Sequence, residues 1–275
     1  MLAASVPSAE RRVVTEIMKE KITVVKVGGA VVEDEAQLTQ LLKDFASIEG
    51  RKVLVHGGGR SATKMAQQLG IETRMVDGRR ITDIEMLNVV TMVYGGLVNK
   101  TVVAHLQAEG VNALGLTGAD ANVIRSHRRP PKNGVDYGYV GDVDSTNGQM
   151  LSRLVEAEIV PVMAPLTHDG QGTILNTNAD TIASETAKAL APYYDVTLIF
   201  SFEKPGVLAR PDDDNSVIAT ITRDDFLRYK ADGTISGGML PKIENALSAI
   251  DAGVDKVVIT LATAIGSQQG TVITR

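Results

Sequence analysis

Five short apolar runs punctuate the chain: "ITVVKV" at 22–27, "KVLVH" at 52–56, "EIVPVM" at 158–163, "VTLIFS" at 196–201 and "KVVITL" at 256–261. None alternates strongly between apolar and polar residues, so neither face of such a strand is built for water. Between several of them lie segments with the i, i+3, i+4, i+7 spacing of a helix packed on one side. In "LTQLLKDFASI" the apolar positions are 38, 41, 42, 45 and 48, and residues 60–69 carry Ala62, Met65, Ala66 and Leu69. Residues 180–190 and 241–252 repeat the pattern. The stretch 85–109 is long enough for two helices, with a break expected near Gly95-Gly96. Buried strands interleaved with helices specify an α/β fold, a largely parallel sheet covered on both faces. "VDYGYVGDV" (135–143) departs from this: short, alternating and glycine-punctuated, it reads as a hairpin off the main sheet.

A chain of 275 residues can bury a sizeable core in one large domain or two lobes. Its net charge of -5 opposes broad affinity for nucleic acid or anionic membranes, so any phosphate site must be local. The absence of cysteine excludes disulfides, thiolate zinc sites and thiol nucleophiles, and makes the cytoplasm the expected compartment. No apolar run approaches the roughly 20 residues of a membrane span. The opening "MLAASVPSAERRVVTEIMKEK" has its charges after its apolar residues, the reverse of a signal peptide. Val13, Val14, Ile17 and Met18 there fit a short amphipathic helix, and residues 1–21 read as a surface appendage. "RSHRRPPKNG" reads as a solvated basic loop, and "RPDDDNS" (210–216) as a charged turn without the spacing of a calcium loop.

Three strand ends carry glycines. The first follows Lys26, where "VVKVGGAVV" sets an ammonium among valines and then Gly28-Gly29. An unpaired charge in such a strand is costly, which raises the question of its partner. The second is "VLVHGGGRSATKMA", a strand running through Gly57-Gly58-Gly59 into a helix. That junction aims free backbone N–H groups and the positive helix end at one point, and glycine lets an anion lie against the chain itself. A tight turn would explain one glycine or two; three favour an anion site. The third is "SGGMLPKIENA", in which glycines precede a helix starting near Pro241 with Lys242 in its first turn. A cation there opposes the helix dipole unless phosphate lies between them. No G-x-x-x-x-G-K-[ST] loop occurs, so the P-loop route to nucleotide phosphates is excluded.

"LNTNADTIASETAKAL" brings Asn176, Asn178 and Asp180 to the start of a helix, and an N-cap explains only one of the three. Asp180 is the best carboxylate to hold two lysines that would otherwise repel each other. "DGRRITD" offers Arg79 and Arg80, either of which could fork onto a substrate carboxylate. His56 abuts the glycines and suits a positional role better than acid–base catalysis. This set points to phosphoryl transfer, which asks a protein for positioning and charge neutralisation without a covalent intermediate. A competing reading is an NAD-type oxidoreductase, since Gly57-x-Gly59-x-x-Ala62 fits the looser dinucleotide fingerprint. Its acidic partner should follow roughly 20 residues on, where "TRMVDGRRITD" is rich in arginine and has Asp77 inside a turn-like "DG".

The segments "VVKVGGA", "VLVHGGG", "GRRITD", "MVYGGLVNK", "GLTGAD", "LNTNADTIA" and "SGGMLPKIENAL" together resemble the amino acid kinase family, in the order found in its acylglutamate-phosphorylating members. The resemblance implies a three-layer αβα sandwich around a mainly parallel open sheet, usually in a homodimer. It implies an N-terminal lobe (22–175) for acylglutamate and dimerisation, and a C-terminal lobe (176–275) for ATP with magnesium. The reaction implied is ATP-dependent phosphorylation of the side-chain carboxylate of N-acetyl-L-glutamate, or a related N-acylglutamate, the second step of arginine biosynthesis. Its partners would be small molecules, with neither nucleic acid nor membrane. Carried over by position, Lys26 and Lys242 neutralise the transferring phosphoryl group and Asp180 holds both ammonium groups. Gly57, Gly58, Gly59, Arg80 and Asn176 bind the acylglutamate, Arg80 through its α-carboxylate. Gly28, Gly29, Gly58, Ser201, Gly206 and Gly238, with the two lysines, face ATP, whose phosphates carry most of the Mg2+ coordination with no dedicated metal ligands.

Three departures accompany the resemblance. Ser201, Phe202 and Glu203 stand where members commonly carry an aspartate before "GVL". The segment after "VVITLATAIGSQQGTVITR" is trimmed, and the N-terminal stretch is short for the interlocking helix of arginine-inhibited hexamers, which points to an arginine-insensitive dimer. A third possibility, a catalytically silent amino-acid or nucleotide sensor of the same fold, is opposed by the joint presence of Lys26, Asp180 and Lys242.

Overall fold

The computed structural model describes residues 19–76, 78–267 and 269–275. The amphipathic helix expected at residues 13–18 and Asp77 of the "DG" turn lie outside them. At the centre is an eight-stranded sheet in the order Thr220–Ile221, Thr271–Ile273, Lys256–Leu261, Asp195–Phe202, Lys21–Val27, Arg51–His56, Val160–Met163, Ala113–Leu116. The five apolar runs of the sequence are five contiguous strands of this sheet, none of them at an edge. All neighbours pair in parallel except Lys256–Leu261 with Thr271–Ile273.

The absence of alternation in the sequence has a direct structural cause. Successive residues of one strand point to opposite faces, and here both faces are covered. Val24, Val53, Val55 and Leu198 pack on one side against helices Gly148–Glu156, Ala179–Leu190 and Met239–Asp251. Val25, Val27, Leu54 and Ile199 pack on the other against helices Glu35–Ala46 and Gly59–Gln68 and the long helix Ile84–Ala108. The result is a three-layer αβα sandwich with two cores, one on each face of the sheet. Each fully buried Val, Leu or Ile contributes roughly 1.5–3 kcal/mol relative to exposure.

Two expectations are corrected. Residues 84–108 form one continuous helix rather than two, and Gly95-Gly96 lies inside a π-helical stretch, Thr91–Val98. Val89, Val90, Val93, Tyr94, Val98, Val102 and Leu106 are buried along its whole length, so packing outweighs the local weakness of the glycines. A side-chain carbon at Gly95 would lie 3.4 Å from Leu166 and 3.6 Å from Thr117; the glycine serves close approach, not a break. By length and composition alone the same helix could cross a membrane. Here one side of it is core.

The second correction concerns "VDYGYVGDV". It lies off the main sheet as expected, in a four-stranded sheet, but it is not itself a hairpin. The hairpin pairs Ile124–Arg128 with Gly141–Thr146, and residues 135–140 belong to the connection between the arms. Arg129 grips Asp142 through both Nε and Nη2 and closes that connection.

Candidate active site

The parallel strands of the sheet centre all end on one side, bringing Val27, His56 and Phe202 to a common edge, where α/β sheets open their ligand crevices. Beyond that edge the two glycine turns touch. A side-chain carbon on Gly29 would sit 3.6 Å from the backbone nitrogens of both Gly58 and Gly59, and one on Gly57 would sit 3.1 Å from the nitrogen of Gly29. The N–H groups of Gly29, Gly58 and Gly59 donate to no backbone carbonyl among the described residues. A concave bed of amides remains that any Cβ would fill.

Two cavities meet at this bed. One, of about 250 Å3, reaches from Lys26 and Gly57–Gly59 to Arg80, Asn176 and Asp180. The other, of about 570 Å3, reaches from the same Lys26 and Gly57–Gly59 to Gly28, Gly29, Ser201, Gly206 and Lys242. The candidate residues thus line two cavities, with Lys26 and the triple-glycine turn as the shared wall. Gly238 lines neither; it caps the helix Met239–Asp251, one residue before Met239, which lines the second.

Lys26 is 9% exposed, and its Nζ lies 2.8 Å from Asp180 Oδ1. Among the described residues this buried oxygen has the ammonium as its ionic neighbour and no other polar partner. The expectation that Asp180 holds both ammonium groups is met for Lys26 only. Lys242 Nζ sits 3.7 Å from the centre of the Phe202 ring, on which Lys26 also lies at 5.6 Å. Aromatic faces attract cations, most of all where water is excluded. Partial burial, opposed by the attraction of Asp180, holds the pKa of Lys242 below the ordinary lysine value. The carboxylates that attract Lys242, Asp180 and Glu203, are paired with Lys26 and Arg60. Lys242 thus faces the cavity without a carboxylate of its own among the described residues.

Arg80 is the buried one of the two candidate arginines, and Arg79 is exposed at the cleft mouth. Among the described residues the Arg80 guanidinium donates only to neutral acceptors: Gly59 O at 2.8 Å, Thr63 Oγ1 at 2.9 Å, Thr73 Oγ1 at 3.3 Å and Met86 Sδ at 3.8 Å. A buried cation with no anion among the described residues is costly, and an anionic ligand relieves it. Asn176 donates to Thr82 Oγ1 at 2.9 Å and stays in the cavity wall. Asn178 takes the bland role, capping the helix Ala179–Leu190 by accepting from Asp180 N–H, which frees the Asp180 carboxylate for Lys26. Ser201 lies against the second cavity, and among the described residues its buried hydroxyl has no partner, nor has that of Thr260 opposite it in the next strand. Gly206 is required by packing, since a Cβ there would come within 2.8 Å of Thr271 and Val217.

Two residues escaped sequence reasoning. Phe202 was read only as a departure from a family pattern, and its role under both lysines depends on strand register. Tyr94, which lines the first cavity and packs under Gly58, carries no local signal within "MVYGG". Among the described residues, no three His, Cys, Asp or Glu side chains converge to hold a metal ion. The dinucleotide reading fails on topology: helix Gly59–Gln68 leads into the small hairpin Met75–Val76/Arg79–Arg80 outside the main sheet. The strand Arg51–His56 is flanked instead by Lys21–Val27 and Val160–Met163, so among the described residues the strand that follows the glycine turn does not pair beside it as the fingerprint requires.

The model of the amino acid kinase family matches residues 21–261, nearly all of the described chain. This chain belongs to the amino acid kinase family. Acetylglutamate kinase of Bacteroides thetaiotaomicron is 67% identical to it over 254 residues, covering 92% of this chain and 98% of its own. Acetylglutamate kinase of Phocaeicola vulgatus is 66% identical over 256 residues, covering 93% and 99%. Among solved structures, the smu.665 protein of Streptococcus mutans superposes with a TM-score of 0.74 at 29% identity, over 92% of this chain and 98% of that one. In this amino acid kinase, then, the paired cavities sit at the strand ends of the family's own sheet.

Proposed function

We propose that this amino acid kinase transfers the γ-phosphoryl group of ATP to the side-chain carboxylate of N-acetyl-L-glutamate or a close N-acylglutamate, the second step of arginine biosynthesis. The observation that carries the reading is the meeting of two cavities at Lys26 and the Gly57–Gly59 wall, one ending in the buried, anion-free Arg80 and the other in Lys242. The acylglutamate occupies the first cavity, its α-carboxylate on Arg80 and its backbone amide beside Asn176. ATP occupies the second, its phosphates on the amides of Gly29 and Gly58. The side-chain carboxylate oxygen attacks the γ-phosphorus, the bond to the β–γ bridging oxygen breaks, and ADP leaves. Lys26 and Lys242 neutralise charge on the phosphoryl group in flight, and Asp180 fixes Lys26. Mg2+ would be held mainly by the ATP phosphates, where it would neutralise their charge. Residues 176–275 form the nucleotide half and 22–175 the acceptor half of one sheet.

The working unit is proposed to be a cytoplasmic homodimer. Met92 and Leu97, both more than half exposed on the helix Ile84–Ala108, support a second copy against that face. The decisive assay couples ADP release to a panel of free and N-acylated glutamates and aspartates, the succinyl derivative included. Turnover confined to N-acylglutamates is expected. Preference for free glutamate or aspartate would overturn the reading.

A further inference from the structure

His56 is 0% exposed at the end of the strand Arg51–His56, directly before the triple-glycine turn, and no part of the reaction above uses it. Its Nδ1 lies 2.8 Å from Gly57 O, and its Nε2 lies 3.1 Å from Asn99 Nδ2. The surroundings leave one protonation pattern. Asn99 Nδ2 also lies 2.9 Å from Val162 O, and Asn99 Oδ1 lies 3.1 Å from Lys100 Nζ. A carbonyl can only accept and an ammonium can only donate, so the Asn99 amide has a single orientation. Its remaining N–H faces His56 Nε2, which must therefore accept, and the ring proton sits on Nδ1, where Gly57 O accepts it.

Both backbone groups of Gly57 are thereby tied: its N–H donates to Val27 O at 3.0 Å and its C=O is held by His56. In a planar trans peptide the C=O and the next N–H point in opposite directions. Anchoring Gly57 O on His56 therefore aims the Gly58 N–H the other way, away from the core and towards the bed shared with Gly29. The long helix braces this turn twice, with Tyr94 under Gly58 and Asn99 behind His56. In an α-helix, residues five apart are turned by roughly 140°. The π-helical stretch Thr91–Val98, with i→i+5 bonding, brings Tyr94 and Asn99 towards one face.

We infer that His56, locked in its Nδ1–H tautomer by Asn99, is a positioning residue that aims the Gly58 N–H at the transferring phosphoryl group. The inference rests on reading the Gly57–Gly59 turn as the phosphate cradle. His56→Leu removes the donor, and His56→Asn places an amide N–H near the former Nδ1. In the full-length enzyme, His56→Leu is expected to lower kcat roughly tenfold or more with KM for both substrates within about threefold, because a mis-aimed donor is missed most in the transition state. His56→Asn is expected to recover most of that loss. An unchanged kcat in folded His56→Leu, or no recovery in His56→Asn, would overturn the inference. Imidazole 15N shifts of the wild-type protein test it without any variant: an Nε2–H tautomer sinks it. The Gly58 amide shift on adding a non-hydrolysable ATP analogue tests the underlying reading separately. A shift there with unchanged His56→Leu kinetics rejects only the role of His56, whereas no shift rejects the cradle and the inference together.

Discussion

A buried group declares its purpose by what it is paired with. Among the described residues Lys26 has Asp180 and the Phe202 ring, Lys242 has the ring alone, and Arg80 has only neutral acceptors. If the ammonium of Lys26 serves the transition state, Lys26→Met should lower kcat by about 10²-fold or more, roughly 3 kcal/mol, with little change in KM for the acylglutamate. A more stable and fully active variant, measured by kcat and Tm together, would make Lys26 a mere buried charge. Arg80→Ala is expected to do the reverse, raising KM far more than it lowers kcat, because its carboxylate does not react. Steady-state kinetics in both substrates separate the two. His56 supplies a pH prediction. Burial lowers its pKa from 6.5 to about 4. The unfolded chain takes up the proton near pH 6.5 and the folded chain only near pH 4, so the contribution is complete above pH 6.5 and fades as pH falls through that window. Its upper bound is about 3 kcal/mol. Urea unfolding at pH 7 and pH 4.5 should show a steeper loss in wild type than in His56→Asn.

At the level of elements, the site is built from contacts between turns and helices. Gly58 leaves no room for a methyl group: a Cβ would lie 2.8 Å from Tyr94 Cδ1, inside a ring that is itself buried. Gly58→Ala should therefore cost both stability and kcat, and Tyr94→Leu in the same chain should return part of each. A double-mutant cycle in Tm and kcat measures the coupling, and additive losses would contradict the contact. The helix Ile84–Ala108 illustrates how far tertiary context overrides local preference. Two adjacent glycines invite a break, yet flanking apolar residues packed along the helix keep it continuous and the strain appears as π-helical widening.

Across the whole molecule, one sheet serves two ligands. The strands Lys21–Val27 and Asp195–Phe202 pair in parallel at its centre, with Lys26 opposite Phe200. This register brings the first glycine turn, Phe202 and Lys242 to one place although they are far apart in sequence. If the face carrying Met92 and Leu97 meets a second copy, light scattering should give twice the chain mass. Replacing both by glutamate should then yield monomers; a wild-type monomer would reject the dimer.

The sequence by itself determined five of the inner strands, most of the helices and the identity of the glycine turns, because buried-strand composition, the 3.6-residue period and free backbone N–H groups are local properties. It also singled out Lys26, Asp180, Lys242 and the pair Arg79 and Arg80, of which only the family resemblance chose Arg80. Tertiary structure decided what those charges rest on. That Asp180 forms its ion pair with Lys26, that Lys242 lies on Phe202, and that His56 is locked by Asn99 follow from strand register and helix phase. Those depend on how two cores pack against one sheet, and no window of neighbouring residues contains that information.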